Sequence, residues 1–357
     1  MTNAIRKQET MLEEGGETIG LDLSDREGTY VVLNAAGEVK KHGKVNLTTG
    51  GLLRLFGGRA PALVALEVGT HSAWVERELK ALGHETLVAN ARQVGLISKN
   101  RKKNDREDAE RLARLARSDP RLLAPIQHRG AQAQADLAVL RSRDSLVRSR
   151  TLLINHIRGA VKSVGGRLGR CSADSFAVKM REQVPASLKA ALLPLLDTIM
   201  QMTGQLKELT RRLEKISQSY RETQVLRQVK GVGLLTSLGM VLVLEDPNRF
   251  NKSRQVGAYL GLTTRQHASG DSDPQLHITK AGDVFLRRLL VQSAHYVLGP
   301  FGPDTDLRLW GLKLAGQGNK IRRRKAIIAV ARKLAVLLHR LWSTGEVYEP
   351  LRGQAQA

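Results

Sequence analysis

The chain is poor in cysteine and in long apolar runs, and each shortage excludes a class of protein. Cys171 is the single cysteine among 357 residues, which excludes an intramolecular disulfide and a thiolate zinc cluster. No apolar run approaches the roughly 18 to 20 residues that a membrane-spanning helix needs. The N-terminus also lacks the apolar core of a signal peptide. We therefore expect a cytoplasmic protein without a membrane partner.

Acidic residues are also scarce relative to basic ones. The 34 Asp and Glu side chains stand against 57 Lys and Arg, a formal net charge of +23. Self-repulsion at this imbalance costs stability unless a polyanion neutralises it, so we expect a nucleic-acid partner and association with the nucleoid. Residues 1–90 hold 10 basic and 12 acidic side chains, which leaves 47 and 22 for the rest. The phosphate-binding surface should therefore lie mainly beyond residue 90.

The first part of the chain has the pattern of a mixed α/β sheet. After a polar leader at 1–18, "TIGLDLSDREGTYVVLNAAGEVKKHGKV" predicts short strands broken by turns. "ALVALEVGT", "SAWVERELKALG" and "HETLVAN" then predict strand, helix and strand. The predicted strands follow one another directly at first and alternate with helices later. This order favours an RNase H-like sheet in a domain at 19–126.

A helical region is predicted at 127–222, followed by a mostly helical domain at 223–345 and a tail at 346–357. In the second half of the helical region, apolar residues alternate in steps of four and three. Pro194 lies inside this seam and marks a helix start or a kink. Such a heptad seam favours a coiled coil, and two interpretations stay open: dimerisation, or a helical hairpin on the same chain. The seam comprises Leu188, Leu192, Leu195, Ile199, Met202, Leu206, Leu209, Leu213, Ile216 and Tyr220.

Four carboxylates have an arrangement suited to a metal site. Asp22 shares the open face of a strand with Gly20, and Glu67 ends a buried strand. Asp105 and Asp108 lie on one face if Asn104 caps a helix there. Carboxylates packed together repel, and Mg²⁺ or Mn²⁺ would resolve the repulsion. A capping or salt-bridged role for Asp105 and Asp108 is the commoner alternative.

Several segments have features of phosphate contacts. "VKGVGLL" lacks the third glycine of a nucleotide-binding loop and is closer to a helix-hairpin-helix turn, with an ordinary turn as the alternative. "KIRRRKAIIAVARKLAVLLHR" has a basic and an apolar face, which favours nucleic acid over a membrane surface. The predicted nucleic-acid contacts are Lys102, Lys103, Gly231, Gly233, Lys280, Arg287, Arg288, Arg322, Arg323 and Arg324.

The motifs "GLDLS", "LEVGTHSAWVERELKALGHE", "KKNDREDAERLARLAR", "GVGLLTSLGMVLVLEDPNRF", "VGAYLGLTTRQHASG" and "ITKAGDVFLRRLLVQSA" resemble, in order, those of DEDD-type insertion-sequence transposases, which include the Piv DNA invertases. The segment "ITKAGDVFLRRLL" is more similar to the corresponding motif of one subgroup, the one whose guide is called a seek RNA. The resemblance spans nearly the whole chain, although the middle helices match the family only in their helical character and not in specific motifs.

This resemblance implies a RuvC-like RNase H fold that binds Mg²⁺ through Asp22, Glu67, Asp105 and Asp108. It places the family's nucleophilic serine at Ser269, in "HASGD". The segment "DSDPQLH" that follows departs from the small or basic residues usual there, and Ser272 is a less favoured stand-in for Ser269. A serine hydroxyl needs an activator, and the metal site of the other domain is the expected one.

The expected function is therefore that of an RNA-guided DNA recombinase that works through a phosphoserine. Its partners would be target and donor double-stranded DNA, a noncoding guide RNA, and copies of itself in a dimer that assembles to a tetramer. Whether the site is built within one protomer or between protomers stays open. The alternatives are a metal-only nuclease, such as a junction resolvase, in which Ser269 is structural, and a basic RNA-packaging protein without chemistry.

Overall fold

The chain folds as two compact units, Met1–Arg129 and Gly130–Ala357, which we call the N-terminal unit and the C-terminal unit. The computed structural model describes residues 16–90, 104–267, 269, 274, 276–317 and 319–352. Each unit has its own apolar core. The boundary between the units lies three residues beyond the predicted end of the first domain.

The strands of the N-terminal unit form one mixed sheet. They are β1 (Thr18–Leu23), β2 (Glu27–Leu33), β3 (Val39–Asn46), β4 (Leu63–Glu67) and β5 (Glu85–Ala89), in the spatial order β3-β2-β1-β4-β5. β2 pairs antiparallel with β1 and β3, whereas β4 pairs parallel with β1 and β5. The predicted mixed sheet is confirmed, and its arrangement is consistent with an RNase H-like domain.

Helices cover both faces of this sheet. They are α1 (Thr49–Phe56), α2 (Ser72–Ala81) and α3 (Asp105–Ser118), and a 3₁₀ turn follows at Pro120–Leu123. Ile19 and Leu21 of β1 pack with α1 and α2 on one face. Ala109 and Ala113 of α3 pack on the other. The period-two alternation of β1 thus directs apolar side chains to one helix pair and leaves Gly20 and Asp22 on the α3 face.

The C-terminal unit is helical. Its helices are α4 (Ala131–Ser163), α5 (Phe176–Met180), α6 (Lys189–Gln218), α7 (Glu222–Leu226), α8 (Leu234–Leu244), α9 (Arg254–Tyr259), α10 (Val284–Leu298), α11 (Asp306–Ala315) and α12 (Lys320–Thr344), with 3₁₀ turns at Arg181–Gln183, Ala186–Leu188 and Pro247–Arg249. From Thr236 to Leu244 every residue of α8 is buried, because α8 lies at the centre of the apolar core of this unit.

Helices α4 and α6 pack against each other as an antiparallel hairpin. The guanidinium of Arg143 donates to Thr210 at 2.8 Å, and that of Arg150 donates to Thr203 at 3.0 Å, so later residues of α4 meet earlier residues of α6. Four of the ten residues of the predicted seam are buried within this chain: Leu192, Ile199, Leu206 and Leu213. The structure contains the helical hairpin within one chain, and dimerisation through the seam stays a prediction.

The predicted tail needs a correction at residues 346–352. Glu346 accepts hydrogen bonds from the Arg340 guanidinium at 2.7 and 3.0 Å. The N–H of Asp306 donates to the Pro350 carbonyl at 2.8 Å. These contacts hold the segment against α11 and α12, so it belongs to the domain; residues 353–357 lie outside the described residues. Among the described helices, none has the length and apolar composition that crossing a bilayer requires.

Candidate active site and nucleic-acid interface

Asp22 and Glu67 lie side by side at the edge where β1 and β4 end. The last recorded pair between these parallel strands is Leu21 with Leu66, and the two acids are the next residue on each strand. Leu63 and Ala65 pack with α3, and Glu67 is two residues further along the same face. Asp22 shares that face with Gly20. Neighbouring strands are about 4.8 Å apart, so the two acids occupy adjacent positions.

Asp105 and Asp108 form the first turn of α3 at this same edge. Asn104 caps the helix, accepting a hydrogen bond from the Arg106 N–H at 3.2 Å, as the sequence predicted. Near the other end of α3, the Arg117 guanidinium bonds the Ala35 carbonyl, in the turn after β2 at the opposite edge of the sheet. The helix therefore runs antiparallel to β1, and its first turn lies where β1 ends.

Close packing fixes this placement. A Cβ at Gly20 would lie 1.8 Å from the Ala109 carbonyl oxygen and 2.8 Å from the Ala113 nitrogen. Only glycine lets the helix backbone approach the strand so closely. Asp105 lies one helical turn before Ala109, and Asp108 immediately precedes it. The glycine in "GLDLS" thus positions the two helical acids over β1.

The donor chemistry of these acids fits a hard divalent cation, since all four supply carboxylate oxygens from one edge and one face. Among the described residues, no three His, Cys, Asp or Glu side chains converge closely enough to hold a metal. An ion at this edge would require the carboxylates to turn toward a common point. Arg111 also lies 3.7 Å from Asp108, an ion pair within the helix that matches the commoner alternative considered above.

Ser269 lies in the connection between α9 and α10, within a two-armed loop. The Thr279 N–H donates to the Thr263 carbonyl at 2.8 Å, and the Arg265 N–H donates to the His277 carbonyl at 3.0 Å. Ser269 lies beyond these paired arms and is exposed. The side chain of Ser269 is thus accessible to solvent. Ser272 lies outside the described residues.

Arg287 stabilises the base of this loop. This structural role differs from the nucleic-acid contact that the sequence predicted for Arg287. The Arg287 side chain is 8% exposed, and its guanidinium donates to the carbonyls of Leu260 at 2.9 Å and Ala281 at 2.6 Å. Burial lowers the pKa of Arg287. Gly261 and Gly282, both at positive φ, let the same two segments meet backbone to backbone. Arg287 therefore ties the loop together and does not present its charge to phosphate.

The other predicted basic contacts remain at the surface. Arg288 is exposed, pairs with Asp144 and lies 5.5 Å from the Phe285 ring centroid. Lys280 is also exposed. Cations at the first turn of a helix are disfavoured by its dipole, so the arginines at the start of α12 gain from a nearby anion. These exposed arginines are Arg322, Arg323 and Arg324. Lys102 and Lys103 lie outside the described residues.

The glycine turn "VKGVGLL" connects α7 to α8. Gly231 has a φ of 93°, and a Cβ there would lie 2.9 Å from the Tyr296 ring. Gly233 precedes the first turn of α8, and no described side chain caps that turn. The turn lines a cleft of about 560 Å³ together with Arg143 and Tyr296. Backbone N–H groups of an uncapped helix end are suited to phosphate, and this contact stays a prediction.

The sequence interpretation missed two residues at the acidic edge. Lys44 of β3 and Glu27 of β2 form an ion pair at 3.0 Å. Thr29 pairs with Asp22 on one side and with Lys44 on the other. The only sequence signal for Lys44 is the basic run "KKHGK", and the run does not reveal which of its residues faces the acids.

Comparison with known proteins identifies the class of protein. Residues 19–165 match a model of the DEDD transposase domain, and residues 223–306 match the model described as "Transposase IS116/IS110/IS902 family". The chain is 31% identical to a transposase for insertion sequence element IS1111A of Coxiella burnetii, over 76% of this chain and 75% of that protein. It is also 31% identical to a probable family 20 transposase of Pseudomonas aeruginosa, over 81% and 86%.

A third relative, a putative transposase of Sinorhizobium fredii, is 29% identical over 85% of this chain and 79% of its own length.

The chain is an enzyme that acts on DNA, a transposase with a DEDD domain on a mixed sheet. It belongs to the IS116/IS110/IS902 family of insertion-sequence transposases.

Proposed function

We propose that this transposase cuts and rejoins DNA through a phosphoserine intermediate at Ser269, with Asp22, Glu67, Asp105 and Asp108 holding Mg²⁺ or Mn²⁺. The observation that carries the proposal is the placement of two strand-end acids and two helix-start acids at one edge and on one face of the sheet. Mg²⁺, when bound, supplies positive charge that offsets the charge developing on the phosphate.

In this proposal the Ser269 hydroxyl is the nucleophile. Its oxygen forms a bond to the phosphorus of the scissile phosphodiester while the bond to one sugar oxygen breaks. The hydroxyl gives up its proton, and the released sugar oxygen gains one. The phosphodiester energy is retained in the Ser269 ester, so attack by a second strand's hydroxyl rejoins DNA without ATP. The exposure of Ser269 supports this role because a duplex can approach it.

The proposed partners are target and donor double-stranded DNA and a noncoding guide RNA. In this view base pairing selects the sequence, and the protein contacts mainly phosphate. Support comes from the charge of the chain beyond residue 90, with 47 basic and 22 acidic side chains. The exposed arginines at the start of α12 are suited to backbone contact for the same reason.

We further propose a dimer that assembles to a tetramer on nucleic acid, because exchange between two duplexes requires several active sites. Leu195, Met202 and Leu209 of the seam are only partly buried within the chain, which leaves apolar surface for a second copy. Mass measurement by light scattering should give a dimer, and a larger assembly with RNA and DNA. A monomer under every condition would contradict this assembly.

The chemistry is tested by a denaturing gel. The protein is incubated with its copurified RNA, Mg²⁺ and a labelled duplex that carries the DNA flanking its gene. We expect a protein band covalently linked to DNA, lost in Ser269→Ala and in Asp22→Asn and retained in the matched control Ser272→Ala. Cut DNA with free ends in both wild type and Ser269→Ala would instead establish the metal-only nuclease. Absence of cutting in every sample would favour a packaging protein.

A further inference from the structure

Lys44 places a positive charge on the face that carries the acids. In the antiparallel ladders, Asp22 pairs with Thr29 and Thr29 pairs with Lys44. Residues directly opposite each other in such ladders project to the same face of the sheet. Asp22, Thr29 and Lys44 therefore form one row across the sheet, on the face covered by α3.

The carboxylates of Glu27 and Asp105 both act on the ammonium of Lys44. It contacts the Glu27 carboxylate at 3.0 Å, and both side chains are largely solvent-exposed. The hydrogen bond and charge of Glu27, followed by the charge of Asp105, raise the pKa of Lys44. Lys44 is therefore cationic at physiological pH. Exposed ion pairs contribute little to stability, so folding gives no strong reason for this cation beside the acids.

The other lysines of β3 do not share this position. Lys41 pairs with Val32, which packs in the core on the opposite face of the sheet. Lys40 forms an ion pair with Glu17 at 2.8 Å, beside the start of β1 and so at the other end of the strand. Among the described lysines of β3, Lys44 is the one in the row of Asp22.

We infer that Lys44 contacts a nonbridging oxygen of the DNA phosphate presented to the acids, and that Glu27 positions its ammonium. The inference rests on the proposed function, because it assumes that a phosphodiester reaches this edge. A cluster of carboxylates repels phosphate, so a cation beside it lowers the electrostatic cost of approach. Lysine serves this purpose as a point charge on a flexible stem.

The experiment compares Lys44→Gln with Lys41→Gln, which removes the same charge from the same strand but from the opposite face. Binding of the protein–RNA complex to duplex is first measured in EDTA over a range of salt. Lys44→Gln should reduce the slope of log affinity against log salt by about one, as expected for a lost phosphate contact. Lys41→Gln should leave the slope unchanged.

Single-turnover cutting in Mg²⁺ provides the second readout. Lys44→Gln should lower the maximal rate about 10- to 100-fold. It should also reach half of that rate at about half the wild-type Mg²⁺ concentration or less, because a competing positive charge beside the carboxylates is gone. Glu27→Gln should lower the maximal rate by a smaller factor, and Lys44→Arg should restore most of it.

Equal behaviour of Lys44→Gln and Lys41→Gln in both measurements would overturn the inference, provided that circular dichroism shows both variants folded. Asp22→Asn separates this failure from failure of the proposed function. If Asp22→Asn is inactive while Lys44→Gln cuts normally, only the role of Lys44 is wrong. If Asp22→Asn cuts at the wild-type rate, the acid site itself is wrong and the inference falls with it.

Discussion

Gly20 is the residue on which the position of α3 depends. A Cβ at this position would lie 1.8 Å from the Ala109 carbonyl oxygen, a distance that no neighbour can accommodate without moving the helix backbone. We predict that Gly20→Ala destabilises the packing of α3 on β1 by about 1 to 3 kcal/mol, the usual cost of overpacking. Faster hydrogen exchange of the α3 amides should reveal this loss, together with weaker cutting, since Asp105 and Asp108 move with the helix.

Gly50→Ala is the matched control for this change. Gly50 lies in α1 of the same unit and is exposed, and the nearest atom to an added Cβ is the flexible end of Arg54 at 3.6 Å. Alanine favours helix, so this variant should be as stable as wild type or slightly more stable. If Gly20→Ala and Gly50→Ala gave the same protection of α3, the close strand–helix contact would not determine the position of the acids.

Two adjacent arginines show that the environment of a residue cannot be predicted from its type and sequence position alone. The sequence predicted the same role for Arg287 and Arg288, yet Arg287 is buried against two carbonyls and Arg288 remains exposed. The difference arises because the segments before α10 and after α9 meet backbone to backbone, a contact between parts of the chain distant in sequence. The positions of Asp22 and Glu67 on their strands were predictable, because strand alternation and strand ends are local patterns.

At the scale of elements, the α4–α6 hairpin contains polar layers within its apolar seam. Arg150 is 8% exposed and donates to Asp174 at 2.6 Å and Thr203 at 3.0 Å, and its Nε has no partner among the described residues. Thr203→Val removes one acceptor from this buried guanidinium. We predict a loss of about 1 to 2 kcal/mol, read out as reduced hydrogen-exchange protection in α4 and α6.

Thr198→Val on the same helix is the control, because the Thr198 hydroxyl bonds the Pro194 carbonyl of its own helix. It should change protection by less than about 0.5 kcal/mol. Equal losses in the two variants would mean that the Arg150–Thr203 contact contributes nothing specific to the pairing of the helices.

The elements themselves were largely predictable, but their pairing was not. The heptad spacing located α6, and the strand and turn signals located β1 to β5, because both depend on neighbours within a few residues. The sequence left open whether the seam pairs within the chain, since identical apolar stripes serve either arrangement. The Lys44–Thr29–Asp22 row was missed for a similar reason: register between strands is a nonlocal property.

At the scale of the whole molecule, charge and chemistry are divided between different parts of the chain. The four acids lie in the N-terminal unit, while Ser269 and most of the excess positive charge lie in the C-terminal unit. The uneven charge was visible in the sequence, and the structure adds that basic residues at the start of α12 are exposed. In the proposed function, a polyanionic substrate would bind the basic surfaces and would supply the phosphate to the acids and Ser269.

Mass spectrometry of the DNA–protein link identifies the residue that attacks the phosphate. After cutting in Mg²⁺, the adduct is digested with protease and nuclease, and the modified peptide is sequenced. We predict a nucleotide joined by a phosphodiester to Ser269, and no adduct when Asp22 is replaced by Asn. A nucleotide attached to another residue, or efficiently cut DNA with no attached peptide, would exclude Ser269 as the nucleophile.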